Sequence, residues 1–441
     1  MVMPDLIRHP VIPLDSGFRR NDKLKVFIHQ FNILFRPSRR RALCKIGRFA
    51  KVSRHTIREY SKIFITLFSA VFVTTMGAGL VVPLLPVYAH KLGAGAFQIG
   101  LIFAAFSLSR TCFVPYFGKL SDRRGKKSIL TAGLFIYFIF SPFYTVSNNV
   151  ETIIFLRLCQ GFASAMILPV AQAYIGLITP KEKEGQIMGI FNVSLYGGLS
   201  AGPLLGGLIT DWFNINTSFL SMAALTFIGF ALCLFLLPAE TQSNKKHPVK
   251  QKNPVRYREL IRDPSIFSLF MFRVCFTTCI GIIWTFLPFL ASTKLAFSSS
   301  AIGFVVMINV LIAGIFQVPM GYLADRLNKR ILVISGGILA VISILYLNIA
   351  SSFFDIVLAN GFLGLAGGIS FPAIMALGVI DGRRIKAMGS VMGLLAMAHS
   401  IGMLVGPIIS GILIDLFSLG AIFIFGAIIL SAGTIIFSRN S

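Results

Sequence analysis

Four ionisable side chains lie inside long apolar stretches of this 441-residue chain: Arg110, Arg157, Arg273 and His399. Placing a charge among apolar residues is costly and usually serves a function, so these residues are the first candidates for binding or coupling chemistry. The guanidinium groups can donate paired hydrogen bonds to an anion. His399 is the best candidate for carrying a proton, because imidazole titrates near neutral pH. The alternative for His399 is a histidine that is simply hydrogen-bonded between two helices.

Carboxylates are absent from the middle of the apolar stretches. All sixteen Asp and Glu residues lie in the N-terminal region, in loops or at the ends of predicted helices, where Asp211 and Asp415 mark two outer ends. Three arginines without a carboxylate predict an electropositive cavity that favours anionic or neutral solutes over cations. Uncharged candidates for the cavity, chosen by their depth, are Trp284, Phe286, Gln172, Tyr174, Asn192, Tyr196, Asn309 and Gln317.

The elements that must position these side chains are membrane-spanning helices. The composition is 55% hydrophobic and only 13% charged, which excludes ordinary soluble domains, and six cysteines are too few for a disulfide framework. A helix needs about 20 apolar residues to cross the hydrocarbon core. Twelve such segments are present, at roughly 63–88, 97–117, 129–147, 152–178, 187–210, 217–237, 266–290, 301–320, 331–349, 355–378, 389–414 and 419–437. The predicted fold class is therefore an all-α membrane protein with twelve transmembrane helices.

The loops between the segments predict the orientation of the chain. Loops that follow even-numbered segments contain 20 Lys and Arg residues, whereas loops that follow odd-numbered segments contain only Lys91 and Lys294. Positively charged loops stay in the cytoplasm, so both termini are predicted to be cytoplasmic and the protein to lie in a bacterial inner membrane. We call the side that carries Lys91 and Lys294 the outer side, and the opposite side the inner side.

Two basic segments lie outside the spans. Residues 1–62 hold 15 Lys and Arg residues and are interpreted as a cytoplasmic extension, either disordered, or misassigned at its start, or lying on anionic lipid. Residues 239–264 are interpreted as a solvated linker. The net charge of +25 is concentrated in these segments and the inner loops, which indicates topology and not nucleic-acid binding. The predicted domains are the extension 1–62, a bundle at 63–238, the linker 239–264, a second bundle at 265–438 and a tail at 439–441.

An internal repeat relates the two groups of six spans. GKLSDR at 118–123 recurs as GYLADR at 321–326, 203 residues later, and Pro169 recurs as Pro372 at the same offset. A Gly-Pro segment recurs at an offset of 204 residues. Its members are Gly198, Gly202, Pro203 and Gly207 in the first half and Gly402, Gly406, Pro407 and Gly411 in the second. Two duplicated halves support alternating access, with a substrate site between them near the membrane midplane.

Four motifs resemble those of the major facilitator superfamily, across residues 63–438. GKLSDRRGKKSIL at 118–130 is similar to the family signature after helix 2, and GYLADRLNKRILV at 321–333 is a weaker copy in which Asn328 replaces the usual glycine. RLCQG at 157–161 resembles the helix 4 signature. GLSAGPLLGG at 198–207 resembles the helix 5 signature of the family's antiporters. The resemblance implies two pseudo-symmetric six-helix bundles.

The resemblance also implies roles for the residues of these motifs. Conformational gating on the inner side is implied for Gly118, Asp122, Arg123, Gly125, Gly321, Asp325 and Arg326. Arg157 and Gln160 are implied in proton coupling or substrate binding. The residues of the Gly-Pro segments, which include Gly206, are implied in a tightly packed, ion-tight interface that is typical of exporters.

The sequence favours a secondary transporter that exports a drug or metabolite in exchange for protons. Exporters of cations in this family often carry a carboxylate in helix 1, where this chain has Met76 and Gly77, so anionic or neutral substrates are favoured. The alternative is a facilitator or symporter that imports an organic anion, and a receptor on a transporter scaffold is a third hypothesis. The sequence contains no nucleotide-binding, metal-ligand or nucleophile motif, so no enzyme activity and no cofactor are predicted. The expected partners are lipid, protons and a small molecule, and a monomer is expected.

Overall fold

Twelve long helices form the computed structural model, which describes residues 54–179, 184–238, 257–385 and 387–440. Each is long and apolar enough to cross a membrane, which confirms the predicted all-α, twelve-span fold. We number these spanning helices in chain order. Their bounds are Arg54–Val81 continued by Leu85–Lys91 for α1, Ala96–Arg124 for α2, Lys126–Phe140 for α3, Val150–Ile178 for α4, Glu184–Trp212 for α5, Ile215–Leu236 for α6, Pro264–Thr293 for α7, Ser299–Arg326 for α8, Lys329–Ile349 for α9, Phe353–Arg384 for α10, Met388–Leu416 for α11 and Ala421–Asn440 for α12.

Helical structure is present in each of the three segments predicted to lie outside the bundles. Because α1 begins at Arg54, the end of the predicted extension is helical, whereas residues 1–53 lie outside the described residues. The predicted linker contains a short helix, Tyr257–Leu260, and its residues 239–256 also lie outside the described residues. The start of the predicted tail is the last turn of α12. Backbone hydrogen bonds of a helix need no apolar surroundings, so a helix continues past the membrane boundary that hydropathy detects.

Side-chain caps fix where several helices begin. Asn149 Oδ1 accepts a hydrogen bond from the Thr152 N–H at 2.8 Å before α4. At α10 the cap is reciprocal, because the Ser352 hydroxyl accepts from the Asp355 N–H at 3.2 Å while the Asp355 carboxylate accepts from the Ser352 N–H at 3.0 Å. Such caps satisfy N–H groups that have no partner within the helix, and each is worth about 1 kcal/mol.

The two halves have the same arrangement of helices. In the first half α1 packs against α5 and α6, α2 packs against α4, and α3 packs against α4 and α6. In the second half α7 packs against α11 and α12, α8 packs against α10, and α9 packs against α10 and α12. Every one of these pairs has its counterpart six helices later. The sequence repeat is therefore also a repeat of the tertiary structure.

The repeat extends to individual hydrogen bonds. Arg157 Nε on α4 donates to the carbonyl oxygen of Ile102 on α2 at 3.4 Å. Asn360 on α10 donates through Nδ2 to the carbonyl oxygen of Val305 on α8 at 2.8 Å. Residues 157 and 360, and residues 102 and 305, are related by the same offset of 203. The same position of the repeat thus ties the fourth helix of each half to the second.

The Gly-Pro segment of α5 lies directly against α1. A Cβ atom added to Gly202 would lie 2.5 Å from the carbonyl oxygen of Met76 and 2.8 Å from the Cα of Gly79, so no larger residue fits without a shift of backbone. Gly198 faces Phe72 of α1, and Gly206 faces Leu80. In the second half the segment of α11 makes the same approach to α7, where Gly402 and Gly406 face the backbone around Thr278. Close backbone contact of this kind is how helices associate without a hydrophobic driving force.

The halves meet through α5 with α8 and through α2 with α11. The Asp211 carboxylate at the end of α5 accepts hydrogen bonds from the N–H groups of Ser299 at 3.0 Å and Ser300 at 2.8 Å, in the first turn of α8. The Asp415 carboxylate at the end of α11 accepts from the N–H groups of Ala96 at 3.3 Å and Phe97 at 3.0 Å, in the first turn of α2. We call these two contacts the outer caps. Each places a negative charge at the positive end of a helix of the opposite half.

The interface is closer on the outer side than on the inner side. Near the outer caps, a Cβ atom added to Gly207 would lie 2.7 Å from the Cα of Ser300, and one added to Gly411 would lie 2.7 Å from the Cα of Phe97. Toward the inner side, a Cβ atom added to Gly118 of α2 would meet no atom of the described residues within 4 Å, and the same holds for Gly189 of α5. The structure is therefore closed on the outer side.

Candidate functional site

A cavity of about 370 Å³ lies between the two halves. Arg110, Arg157, Arg273, His399 and Trp284 all line it, so the structure brings the predicted ionisable residues together at one place. Among the described residues that line the cavity there is no Asp or Glu. Cavities of this size accommodate small organic molecules, and this one combines cationic hydrogen-bond donors with a largely apolar wall.

Arg157 is tied to its surroundings by several contacts. The residue is 4% exposed, and its guanidinium donates to the Ile102 carbonyl oxygen and, through Nη1, to Gln160 Oε1 at 3.4 Å. Its Cζ also lies 4.3 Å from the centre of the Phe106 ring and 5.6 Å from that of Phe103. Cation–π contacts of this kind favour a desolvated guanidinium. These contacts place the guanidinium of Arg157 at the wall of the cavity.

Gln160 does not line the cavity, although the helix 4 motif singles it out. It is 1% exposed, and its Oε1 accepts a hydrogen bond from the Tyr144 hydroxyl at 2.9 Å in addition to the one from Arg157. Gln160 thus connects Arg157 to the first-half core, where it helps to orient the guanidinium. It has no direct access to a bound solute.

Arg273 and His399 form a pair on α7 and α11. Arg273 Nη2 lies 3.4 Å from His399 Nδ1, and the guanidinium Cζ lies 4.3 Å from the centre of the Phe371 ring. Arg273 is 8% exposed, and its Nε has no hydrogen-bond partner among the described residues. The position of Arg273 near the start of its helix allows a side chain that reaches the inner surface. The structure places it instead in the cavity, because its face of α7 packs against α11.

Arg110 and Trp284 also line the cavity, as predicted. Arg110 lines the cavity from α2 in a half-buried position, without a hydrogen bond to any described residue. Trp284 lines it from α7, and no described residue accepts a hydrogen bond from its indole Nε1. Both side chains therefore retain donors that a solute could use.

The uncharged candidates divide into two groups. Tyr196, Asn309 and Gln317 line the cavity. Phe286, Gln172, Tyr174 and Asn192 do not line it. Depth within a span is the only criterion that selects these seven residues, and depth does not decide which face of a helix a residue occupies. The second group therefore lies at a suitable depth on the wrong face.

Several cavity residues that depth and charge do not reveal can be recognised by helical spacing. Arg273, Phe276, Thr277, Ile280 and Trp284 all line the cavity, and their spacing of three, four, seven and eleven residues defines one face of α7. Other hydroxyl and aromatic residues follow from the remaining arginines in the same way. These are Ser107, Phe103 and Phe106 on α2 and Ser164 on α4. Ser400 on α11 also lines the cavity, but as the neighbour of His399 it does not follow from this spacing.

The inner-side motif residues are only partly described. Asp122 and Asp325 lie near the ends of α2 and α8, but their side chains are outside the described residues, so the predicted gating contacts stay predictions. Arg123 is exposed, and Arg326 lies over the ring of Tyr322, with its Cζ 4.2 Å from the ring centre. A Cβ atom added to Gly321 would lie 3.9 Å from the Cβ of Pro372, an ordinary van der Waals contact.

The backbone at Gly125 and Asn328 explains why the second copy of the motif that follows helix 2 can carry asparagine where the first copy carries glycine. Gly125 connects α2 to α3 with φ of 96°, a conformation that favours glycine. At the equivalent position Asn328 has φ of −66° and caps α9, where its Oδ1 accepts a hydrogen bond from the Arg330 N–H at 2.9 Å. The second connection therefore does not require a glycine, because its turn is built differently.

An ion pair fixes the inner ends of α7 and α10. Arg384 Nη2 lies 2.8 Å from Asp263 Oδ2, and Asp263 also caps α7 by accepting from the N–H groups of Ser265 and Ile266. Burial alone would raise the pKa of the Asp263 carboxyl, but the hydrogen bonds from Arg384 and the backbone hold that pKa below its ordinary value. This carboxylate acts within the second half only, unlike the outer caps.

Relatives of the chain are transporters. It is 29% identical over 359 residues to an uncharacterized MFS-type transporter of Methanocaldococcus jannaschii, which covers 81% of this chain and 92% of the relative. It is 27% identical over 373 residues to multidrug resistance protein 2 of Bacillus subtilis, with 82% and 91% covered. It is 25% identical over 368 residues to the quinolone resistance protein NorA of Staphylococcus aureus, with 80% and 90% covered.

The fold and the family profile agree with this similarity. The structure of the nucleoside transporter NupG superposes with a TM-score of 0.72 at 14% identity, covering 86% of this chain and 99% of that chain. The profile described as Major Facilitator Superfamily matches residues 67–295 and 270–439. These two matches cover both halves of the repeat. The predicted resemblance is thus confirmed, and the chain belongs to the major facilitator superfamily of membrane transporters.

Proposed function

We propose that the chain is a secondary active transporter that exports a drug-like compound or small metabolite in exchange for protons. The observation that carries this proposal is the cavity between two repeat-related halves, which are closed on the outer side by the outer caps. Rocking of such halves exposes one site alternately to the two sides of the membrane. Antiport is supported by the Gly-Pro segment of α5 and by the multidrug and quinolone resistance proteins among the relatives.

The substrate is proposed to be anionic or neutral. Arg110, Arg157 and Arg273 line the cavity, and none of the described residues that line it is Asp or Glu. A cation in this cavity would meet three positive charges and no compensating carboxylate, whereas an anion would gain charge-assisted hydrogen bonds. The aromatic wall favours a solute with an apolar portion.

The second candidate function is import of an organic anion, by symport with protons or by facilitated diffusion. The same lack of a carboxylate favours it, because binding of substrate and proton must compete in an antiporter. An anion and a proton bound side by side stabilise each other, which is the linkage that symport requires. The position of His399 beside Arg273 would allow this cooperation.

Flux measured under proton gradients of opposite direction distinguishes these functions. Retention of dyes and drugs in pump-deficient cells, with and without a proton uncoupler, would first identify a transported compound. The purified chain would then be reconstituted in vesicles, and flux of that compound would be measured with the acid side outside and again with it inside. Antiport predicts movement toward the acid side, symport predicts movement away from it, and a facilitator predicts no response to the gradient.

Arg157→Ala, reconstituted at the same protein density, is the control variant. We expect it to lose flux in every gradient, since Arg157 is held at the cavity wall by four separate contacts. Gradient-driven flux that survives in this variant would contradict the assignment of the cavity as the transport site. No flux of any probe by folded wild-type protein would contradict transport itself and favour a receptor.

The orientation is also a proposal, with both termini in the cytoplasm of a bacterial cell. Its support is the placement of 20 Lys and Arg residues in the loops that follow even-numbered spans. A fluorescent protein fused after residue 441 should be fluorescent, whereas alkaline phosphatase fused there should be inactive. The opposite pair of results would reverse the inner and outer sides.

A further inference from the structure

The pair formed by Arg273 and His399 has a defined donor pattern. A guanidinium only donates hydrogen bonds, so the contact at 3.4 Å between Arg273 Nη2 and His399 Nδ1 requires that Nδ1 accept. The neutral imidazole then carries its proton on Nε2, which is also a donor. Both residues line the cavity. Two donors from adjacent helices, α7 and α11, are therefore available on the same part of the wall.

Arg273 forms no ion pair with a described residue. Arg273 is 8% exposed, and its Nε has no hydrogen-bond partner among the described residues. No described Asp or Glu lines the cavity. Its guanidinium contacts the His399 ring through Nη2 and lies over the Phe371 ring, and neither partner carries a negative charge. A buried cation without an anionic partner is costly, and a bound anion would offset that cost.

The other two arginines are less suited to this role. Arg157 already donates to the Ile102 carbonyl oxygen and to Gln160, and it lies over two rings. Arg110 is half-buried on α2, and it adds positive potential at His399 from the opposite half. Arg273 is thus the arginine that is buried, has no ion-pair partner among the described residues and lies beside a second donor, His399.

The wall beside this pair is aromatic. Phe276 and Trp284 lie on the same face of α7 as Arg273, and Phe371 of α10 lies against the guanidinium. The indole Nε1 of Trp284 is a further donor without a partner among the described residues. A solute bound at Arg273 would therefore place its uncharged portion against aromatic rings.

We propose that Arg273 and His399 form the subsite for the anionic group of the transported compound, an amphipathic organic anion whose apolar portion lies against Phe276, Phe371 and Trp284. The inference rests on the proposed function, since it names the class of compound that the transporter carries. It goes beyond a cavity of general positive charge, because it assigns the anionic group to one pair of residues in the second half.

Binding to the purified full chain in lipid nanodiscs tests the subsite independently of flux. The probes are naphthalene-2-sulfonate, which is anionic at all assay pH values, and naphthalene-2-sulfonamide, which is neutral and similar in shape. Isothermal titration calorimetry should give a dissociation constant at least about tenfold lower for the sulfonate, since its hydrogen bonds are charge-assisted. In a Trp212→Phe chain, Trp284 is the remaining one of the two tryptophans, so a change in its emission would locate the probe.

Two matched substitutions separate the subsite from the overall potential of the cavity. Arg273→Gln should remove the preference for the sulfonate and leave binding of the sulfonamide unchanged. Arg110→Gln removes the same charge from the same cavity and should weaken sulfonate binding only about twofold to threefold, as a more distant charge does. Arg273→Lys, which keeps the charge but loses the planar fork, serves as the second variant if Arg273→Gln does not fold.

Each result has a distinct meaning. Equal affinity of the wild-type chain for the two probes would overturn the subsite, and so would equal losses in Arg273→Gln and Arg110→Gln. Sulfonate binding that needs Arg273, in a chain that shows no flux in vesicles, would uphold the subsite and contradict the proposed transport. Gradient-driven flux without any preference for the sulfonate would support the proposed transport and contradict the subsite.

Discussion

The outer caps are the contacts whose loss should shift the conformational equilibrium most directly. Asp211 joins α5 to the first turn of α8, and Asp415 joins α11 to the first turn of α2, so each carboxylate bridges the two halves. Both contacts join the halves in this outer-closed structure, so opening of the outer side is expected to break them. Replacing either Asp by Asn removes the charge that favours a helix N-terminus but keeps the volume of the side chain.

The expected magnitude follows from the geometry. Each carboxylate accepts two backbone hydrogen bonds at an exposed helix N-terminus, an arrangement worth about 1 kcal/mol. A loss of about 1 kcal/mol raises the population of the outer-open state about fivefold. The two sites lie on different helix pairs, so their effects should add, and the double variant should gain about 30-fold.

Thiol accessibility measures this population. Ser400 lines the cavity, and Ser400→Cys in a chain whose other cysteines are replaced would present one thiol there. A membrane-impermeant methanethiosulfonate reagent added to intact cells reaches this thiol only from the outer side. The rate of modification should rise about fivefold for Asp211→Asn or Asp415→Asn and about 30-fold for both.

Asp263→Asn is the matched control. Asp263 also caps a helix and accepts from backbone N–H groups, but its partners all lie in the second half. This variant should leave the rate of modification unchanged. An unchanged rate in the double variant would refute the role of the outer caps, and an equal rise in Asp263→Asn would show that the effect is a general loosening of the fold.

Three further predictions test other parts of the structure. Gly202→Val should prevent accumulation of folded protein in the membrane, because its side chain would overlap the Met76 carbonyl, whereas Gly118→Ala should be tolerated; equal yields on size-exclusion chromatography would contradict this. His399→Gln should abolish pH-driven transport but leave substrate exchange intact, since the amide keeps a donor and loses the titratable ring; loss of neither would refute His399 as the proton carrier. The lowered pKa of Asp263 contributes stability above the ordinary carboxyl pKa that disappears as the pH falls through the lowered value. Thermal melts of wild-type and Asp263→Asn protein should therefore differ near neutral pH, by at most about 1 kcal/mol, and converge in acid; a difference independent of pH would argue against the Asp263–Arg384 pair.

The sequence predicts the twelve spans because the hydrophobic effect acts on each segment separately. The repeat and the motifs then predict which helices are equivalent, and the structure agrees for every packed pair within the halves. Hydropathy does not predict helix ends, since a helix such as α1 continues from Arg54 through residues too basic for the membrane.

The site was predictable as a set of residues but not as an arrangement. Charge within an apolar segment identifies Arg110, Arg157, Arg273 and His399, because burial of a charge is selected only where it is needed. The pairing of Arg273 with His399 depends on how α7 rotates against α11, which a single sequence does not contain. The outer caps are missed for the same reason: Asp211 and Asp415 are visible as helix ends, but their partners lie in the opposite half.

The hydrogen bond from the fourth helix of each half to the second shows what duplication has made possible. In the second half a neutral amide, Asn360, is sufficient to hold the Val305 carbonyl. The same mechanical task in the first half is performed by Arg157, whose longer side chain and charge exceed what the task requires. The two copies thus perform the same structural task with different side chains. The positive charge of Arg157 is therefore specific to one repeat, at a position whose structural task does not require a charge.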